Sequence, residues 1–175
     1  SDWSSDVCSS DLLREEELAE VRNRKMGFVF QDFMLLDGLT VFENICLPQI
    51  IDERPVAQME SKAENICQIF GIDKIMQKYP AEISGGEKQR TAVARALMNH
   101  PLVILADEPT GNLDSASSKE ILQILRGLHN EGRTVILITH DDGIAEQARR
   151  IIRIMDGKIE SDRLNDQYEE GDRKS

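Results

Sequence analysis

Hydrophobic residues along the chain fall into two kinds of run, continuous and periodic. Continuous runs at 27–30, 102–106 and 135–139 are typical of parallel strands that are buried on both faces. Between the last two runs, apolar residues recur every three or four positions from Ile121 to Leu128, which predicts an amphipathic helix. The order strand, helix, strand favours a right-handed crossover between parallel strands. The pattern therefore predicts an α/β fold with a parallel sheet.

The segment between the first two strands, about residues 33–82, has mostly helical patterning. Thr40 and Glu43 have the spacing of a capping box, in which each residue caps the backbone of the other. Pro55 suits the first position of the next helix, and Gly71 suits its end. We therefore expect a helical subdomain between the first and second strands.

The two ends of the chain lack this patterning. Residues 1–12 (SDWSSDVCSSDL) repeat Ser-Ser-Asp without helical or strand period, and we interpret them as a non-native segment. Residues 151–159 predict a hairpin. Residues 160–175 are polar and mixed in charge, and we expect them to form a frayed tail. The globular part is therefore expected to span residues 13–159.

Composition limits the classes of function. The net charge of -11 argues against broad nucleic-acid binding, because phosphates favour basic surfaces. No apolar run approaches the roughly 18 residues that a membrane span needs, so work at a membrane is expected to go through a partner. Cys8, Cys46 and Cys67 lack the paired spacing of metal ligands, and we interpret them as free thiols in a reducing cytosol.

Polar residues end or follow all three predicted strands. Gln31 comes after the first strand, Asp107 and Glu108 after the second, and His140 after the third. Each alone is commonly a cap, a turn residue or a solvated side chain. Their occurrence at equivalent strand ends favours a ligand site, because ligands of open parallel sheets bind beyond the carboxyl ends of the strands.

Phosphoryl transfer could use each of these side chains. It needs a metal near the terminal phosphates, an oriented water and donors for developing charge. Asp107 suits Mg²⁺ held through its water shell, and Glu108 suits the general base. Neutral His140 could donate a hydrogen bond to the terminal phosphate, and Gln31 could bridge metal and water.

A second candidate site is the stretch Ser84-Gly85-Gly86-Glu87, which precedes a helical run. Ser84 and Glu87 have capping-box spacing, so one interpretation is a well-capped helix and nothing more. A cap does not need two glycines, however. Gly85 and Gly86 leave backbone N–H groups open at a helix N-terminus, which favours an anion. We therefore expect the terminal phosphate of a nucleotide at this position.

A phosphate-binding P-loop is not found in the sequence. Such a loop has the form Gly, four residues, then Gly-Lys-Ser/Thr, and no lysine among the 175 residues lies in that context. The usual phosphate cradle is therefore missing from these 175 residues.

These motifs together resemble those of ATP-binding-cassette (ABC) ATPases. Residues 83–87 resemble the signature motif, with Ile in place of the usual Leu. Residues 102–108 resemble the Walker B strand, with its magnesium aspartate and catalytic glutamate, and residues 111–114 resemble the D-loop. Gln31 and His140 stand where the family has its Q-loop glutamine and switch histidine. The resemblance runs from about residue 13 to residue 159, and the sequence is most similar to the macrolide-exporter and lipoprotein-release type.

The resemblance implies a P-loop NTPase (RecA-like) parallel sheet core with an inserted helical subdomain, lacking the first strands and the Walker A loop. It implies ATP and Mg²⁺ as cofactors, and it adds Asp114 of the D-loop to the nucleotide-binding residues. It also implies a second ATPase subunit in a head-to-tail dimer, and an integral-membrane permease at the cytoplasmic face of the bacterial inner membrane. The isolated fragment is expected to be inactive, and no nucleic-acid partner is expected.

Two other functions stay open. A non-transport ABC ATPase of DNA repair or translation predicts a long coiled-coil insertion or a tandem second cassette, and neither fits the compact spacing between Gln31 and Ser84. A structural chain with a decayed site is disfavoured because Gln31, Ser84, Glu108 and His140 are all intact.

An apolar cluster follows Gln31. It consists of Phe33, Met34, Leu35, Leu36 and Leu39. Part of the cluster is expected to be core, but it holds more large apolar residues than one small helix face needs. In the resembled family this region forms the groove that receives a cytoplasmic helix of the permease, and we expect the same contact here.

Overall fold

Three parallel strands form the centre of this computed structural model, which describes residues 14–166 and 168. β1 (Met26–Phe30) pairs with β2 (Val103–Asp107), which pairs with β3 (Thr134–Ile138). The predicted parallel sheet is confirmed, although β2 and β3 are each displaced by one residue from their predicted positions. Asp107 is therefore the last residue of β2 and lies between Phe30 and Ile138 at the carboxyl edge of the sheet.

The two faces of this sheet are covered unequally. Val29, Ile104 and Ala106 are fully buried on the face that α4 and α5 cover. On the opposite face Phe30, Ile136 and Ile138 are 37%, 46% and 47% exposed. The expectation of burial on both faces is therefore wrong for the described residues, because these side chains leave the second face partly open.

The helices surround the covered face and extend from it. Their bounds are α1 (Glu15–Lys25), α2 (Val41–Ile51), α3 (Val56–Ile69), α4 (Gly85–Leu97), α5 (Ser115–Asn130) and α6 (Asp142–Ala145), with short 3₁₀ turns at Asp73–Ile75 and Pro80–Glu82. Gly27 of β1 allows α4 to approach closely, since a Cβ there would lie 2.8 Å from the carbonyl oxygen of Ala96. Within the part of the chain described, no helix has the length and apolar character required to cross a bilayer.

The helices predicted within residues 33–82 are α2 and α3. The Thr40 hydroxyl accepts the N–H of Glu43 at 3.2 Å and the Glu43 carboxylate accepts the N–H of Thr40 at 2.8 Å, which confirms the predicted capping box. Pro55 is the N-cap of α3 rather than its first residue. Gly71 lies just beyond the end of α3 with φ +63°, a conformation that glycine adopts at little cost.

The C-terminal part of the described chain is an antiparallel hairpin of β4 (Arg150–Met155) and β5 (Lys158–Leu164). The hairpin was predicted, but β5 continues to Leu164, so residues 160–164 are strand and not a frayed tail. Pairing with β4 orders them, and Arg150 adds an ion pair to Asp162 at 2.8 Å.

Cys46 and Cys67 are buried and free, as expected. Burial raises the pKa of the Cys46 thiol to about 12 and that of the Cys67 thiol to about 11, which keeps both protonated and unreactive. Cys8 and the segment 1–12, which we interpret as non-native, lie outside the described residues.

Candidate active site

Glu108 and His140 meet at the carboxyl edge of the sheet, although they are far apart in sequence. One carboxylate oxygen of Glu108, Oε1, accepts the backbone N–H of His140 at 2.7 Å and lies 2.7 Å from Nδ1 of the His140 ring. The other oxygen, Oε2, has a longer bond of 3.4 Å from the Thr139 hydroxyl. Oε2 is therefore the oxygen of Glu108 with more capacity to accept another proton.

The contact with Glu108 restricts what His140 can donate. A neutral ring that gives its Nδ1–H to the carboxylate presents Nε2 as an acceptor only. Donation to a phosphate from Nε2 therefore requires either a protonated ring or a ring that turns away from Glu108. This hydrogen bond therefore does not favour the expected form of His140, a neutral ring that donates to the phosphate.

The backbone at Glu108 is held in a strained conformation. Its φ is +44°, in the left-handed region that costs a non-glycine residue roughly 1–2 kcal/mol. The N–H of Glu108 donates to the Ile138 carbonyl at 2.9 Å, and its own carbonyl accepts the N–H of Gly111 at 3.0 Å. These bonds fix the direction of the carboxylate, and such strain clusters at functional sites.

Gln31 lies against the turn that follows Glu108. Its amide Nε2 donates to Oδ1 of Asn112 at 3.2 Å, and Nδ2 of Asn112 donates to Oδ1 of Asp32 at 2.9 Å. Gly111 makes this position possible, because a Cβ there would lie 2.8 Å from the Gln31 amide nitrogen. The structure thus brings Gln31 to the D-loop turn, and Asn112 is a partner that the sequence reasoning did not single out.

Asp107 has the position and exposure of a metal ligand. Its side chain is exposed at the strand end, and within residues 14–166 and 168 no cation or hydrogen-bond donor pairs with its carboxylate. The same residues contain no cluster of three His, Cys, Asp or Glu side chains that could hold a metal ion. One carboxylate and the amide oxygen of Gln31 fit Mg²⁺, which takes few protein ligands and retains water and phosphate oxygens. The assignment of Asp107 and Gln31 to a metal stays a prediction.

Ser84 caps the N-terminus of α4 as predicted. The Ser84 hydroxyl accepts the N–H of Glu87 at 3.3 Å, and the Glu87 carboxylate accepts the N–H of Ser84 at 2.8 Å. The bond from the Ser84 N–H lowers the pKa of the Glu87 carboxyl. Neither this cap nor the helix itself uses the N–H groups of Gly85 and Gly86, which are the free donors of a first helical turn.

The two glycines of this turn have different surroundings. Gly86 is buried against α5, and a Cβ there would lie 2.7 Å from the hydroxyl oxygen of Ser117. At Gly85 the nearest atom, on Leu113, is at an ordinary contact distance of 3.4 Å. Packing between helices therefore accounts for Gly86, and Gly85 alone lacks a packing reason to be glycine.

The Asp114 carboxylate caps α5. Its Oδ1 accepts the N–H groups of Ala116 and Ser117 at 3.0 and 3.1 Å, and its Oδ2 accepts the Ser117 hydroxyl at 2.8 Å. The bond from the Ser117 N–H is the main cause that lowers the pKa of Asp114. This cap is a sufficient local role for Asp114, and its predicted part in nucleotide binding stays untested.

Two polar residues of α4 that the sequence reasoning missed contact the site. Gln89 is fully buried and donates to the Pro109 carbonyl at 2.6 Å, next to Glu108. Arg95 donates to the carbonyls of the residues that follow Gln31. The sequence signal that could have identified Gln89 is a polar residue at a core position of the helix. Gln89 precedes the buried Val93 by four residues, so both lie on the same helical face.

A comparison with protein-family models matches residues 6–111 to the ABC transporter model. The matched range contains the Ser84 cap and the Asp107–Glu108 strand end, and it begins inside the segment 1–12 that we interpret as non-native. The chain belongs to the ABC transporter family. This family of ATP-binding cassettes hydrolyses ATP, and its motifs are those that the sequence resembles.

Among curated proteins, the chain is 47% identical over 160 residues to the macrolide export ATP-binding/permease protein MacB of Mannheimia succiniciproducens, covering 91% of this chain and 25% of that protein. It is 44% identical over 146 residues to an uncharacterized ABC transporter ATP-binding protein of Thermotoga maritima, covering 83% of this chain and 62% of that protein. The chain thus spans about a quarter of the length of MacB and less than two thirds of the Thermotoga protein.

Solved ABC cassettes share the fold. The ATP-binding cassette MJ0796, in a dimeric post-hydrolysis state bound to ADP and phosphate, superposes with a TM-score of 0.78 and 37% identity. The match covers 89% of this chain and 69% of that cassette. The predicted α/β fold of the P-loop NTPase class is thereby confirmed for the ABC transporter cassette described here.

Proposed function

We propose that this chain supplies the catalytic residues at the carboxyl edge of the sheet, and the signature helix α4, of an ABC ATPase that powers a membrane permease. The observation that carries the proposal is the contact of Glu108 with His140 at the carboxyl edge, beside the exposed Asp107. The named relatives are transport proteins, which favours a transporter over a non-transport ABC ATPase. Through the permease, the ATPase is placed at the cytoplasmic face of the bacterial inner membrane.

Each residue has a role that its contacts support. Glu108 receives the proton of the attacking water on Oε2, since Oε1 is occupied by His140. Gln31 orients that water from the Gly111–Asn112 turn. Asp107 and Gln31 would hold Mg²⁺, which would supply positive charge to neutralise the phosphates.

The signature side of the site acts on a nucleotide of a second subunit. The free N–H groups of Gly85 and Gly86 and the helix dipole of α4 suit a terminal phosphate, and Glu87 orients Ser84 beside it. We propose the head-to-tail dimer of the family, because the solved relative is a dimer.

The permease contact is assigned to the apolar cluster after Gln31. The structure divides that cluster, since Met34 and Leu36 are 60% and 52% exposed while its other members are partly buried. The exposed pair follows Gln31 within five residues of the chain. A permease helix bound there would therefore be linked to the catalytic edge through a few residues of backbone.

The proposal is tested by Glu108→Gln in a cassette that carries a P-loop segment ahead of these residues, here termed the completed cassette. The amide keeps the size and the hydrogen bond to His140 but cannot take a proton. We expect turnover to fall roughly 10²-fold or more, with Mg-ATP affinity retained. The matched control is Glu160→Gln in the exposed strand β5, which should leave turnover unchanged. Near-normal hydrolysis in the Glu108 variant would place the base elsewhere.

A further inference from the structure

The turn that follows Gln31 has an unusual backbone. Phe33 and Met34 are consecutive, bulky, non-glycine residues, and their φ angles are +60° and +49°. Side chains with a Cβ avoid this left-handed region, so such a turn persists only where its surroundings hold it. Within the turn itself, the N–H of Met34 reaches only the carbonyl of Asp32, at 2.6 Å.

The group that holds this turn is the guanidinium of Arg95, more than sixty residues further along the chain. Its Nη2 donates to the Phe33 carbonyl at 2.9 Å, and its Nη1 donates to the Met34 carbonyl. A planar guanidinium can bond two neighbouring carbonyls at once, which a lysine ammonium cannot do with the same fixed geometry.

The described residues provide no carboxylate partner for Arg95, and burial lowers the pKa of its guanidinium. A partly buried cation that is stabilised by carbonyl dipoles and not by a carboxylate is costly, so its two bonds to the turn are the interactions that retain it. The arginine therefore acts on the turn and not on a salt bridge.

The same helix also holds the chain before Gln31. Gln89 of α4 donates to the Phe30 carbonyl at 3.3 Å, in addition to its bond with Pro109. Helix α4 thus holds the backbone on both sides of Gln31, with Gln89 before it and Arg95 after it. The N-terminus of this helix carries Ser84.

We propose that Arg95 is a positioning residue, which holds the left-handed Phe33–Met34 turn on α4 and so sets where Gln31 stands relative to the signature helix. Without the guanidinium the turn relaxes toward a conformation with negative φ. That relaxation moves the chain next to Gln31 and weakens the contact of its side chain with Asn112. The expected effect of Arg95 on catalysis rests on the proposed function. Its effect on the Phe33–Met34 turn does not.

The structural part is tested by hydrogen exchange on the chain itself. In Arg95→Met we expect the amides of Met34 and Leu36 to exchange about tenfold faster, because local opening becomes easier. The Leu36 amide is a suitable reporter, since it donates to the Asn44 side chain at 2.8 Å. The control is Arg133→Met, which removes another partly buried arginine, just before β3, and should leave both amides unchanged. Unchanged exchange in a folded Arg95→Met would overturn the proposal.

The catalytic part is tested in the completed cassette. Arg95→Met should lower kcat roughly 10- to 100-fold with little change in KM for Mg-ATP, as for a misplaced catalytic group. Adding Met34→Gly should restore part of kcat, because glycine keeps a positive φ without the arginine. Met34 is well exposed, so little packing is lost.

The outcomes separate the two proposals. Loss of kcat without rescue by Met34→Gly, or with an equal change in KM, would show that Arg95 acts through general stability and would overturn its positioning role. If the variant unfolds, Arg95→Lys takes its place, and the same rescue is required of it. If the completed cassette with Arg95 intact does not hydrolyse ATP, the proposed function fails, while the exchange result still decides whether Arg95 holds the turn.

Discussion

Substitution of Gly86 by alanine should destabilise the chain although it places a better helix former in α4. An added Cβ would lie 2.7 Å from the hydroxyl oxygen of Ser117 and 3.1 Å from its Cβ. The hydroxyl could rotate away only by giving up its bond to Asp114. The second contact cannot be relieved by rotation, because the backbone of α5 fixes that Cβ.

The magnitude is the difference between two opposing effects. Alanine in place of glycine inside a helix stabilises it by about 1 kcal/mol. Overpacking of a tight helix contact costs about 1–3 kcal/mol. We therefore expect Gly86→Ala to lower the free energy of unfolding by up to about 2 kcal/mol.

A double-mutant cycle on the chain isolates the contact. In a Ser117→Gly background the added Cβ has room, so Gly86→Ala should instead raise the free energy of unfolding by about 1 kcal/mol. Urea unfolding of the four proteins measures the cycle. Gly127→Ala in α5 is the matched control, because nothing lies within 4 Å of its added Cβ, and it should stabilise in both backgrounds. A coupling free energy below about 0.5 kcal/mol would refute the packing account of Gly86.

Three further predictions concern nucleotide, permease and pH. The isolated chain should bind Mg-ATP weakly, because a P-loop provides most triphosphate contacts, and micromolar affinity by calorimetry would contradict this. Leu36→Asp in the completed cassette should weaken co-purification of the permease and spare basal ATPase activity, since a charge is costly in an apolar contact; the control Leu164→Asp, on the exposed hairpin, should not. The bond from Ser84 lowers the pKa of the Glu87 carboxyl in the folded chain. The charged carboxylate therefore stabilises the fold fully at pH values above its ordinary pKa, and this stabilisation is lost as the pH falls through the lowered pKa. The stability difference between the chain and Glu87→Gln should therefore shrink on acidification, and a difference independent of pH would exclude the charged cap.

The sequence by itself determined those features of this ABC transporter chain that depend on neighbours three or four residues apart, or on strand order. The capping boxes at Thr40 and Ser84 were readable because both partners lie in one turn of helix. The meeting of Glu108 with His140 was readable because parallel strands bring their carboxyl ends to one edge.

Only the tertiary structure decided which atoms approach between distant segments. The contact that requires glycine at position 86 arises from the distance between α4 and α5, which no local pattern encodes. The bonds of Arg95 to the turn after Gln31 join residues more than sixty positions apart, and they depend on how α4 packs against β1. The exposed face of the sheet was not predicted for the same reason. Apolar residues in a strand indicate that burial is favourable, but they do not indicate which element covers the strand.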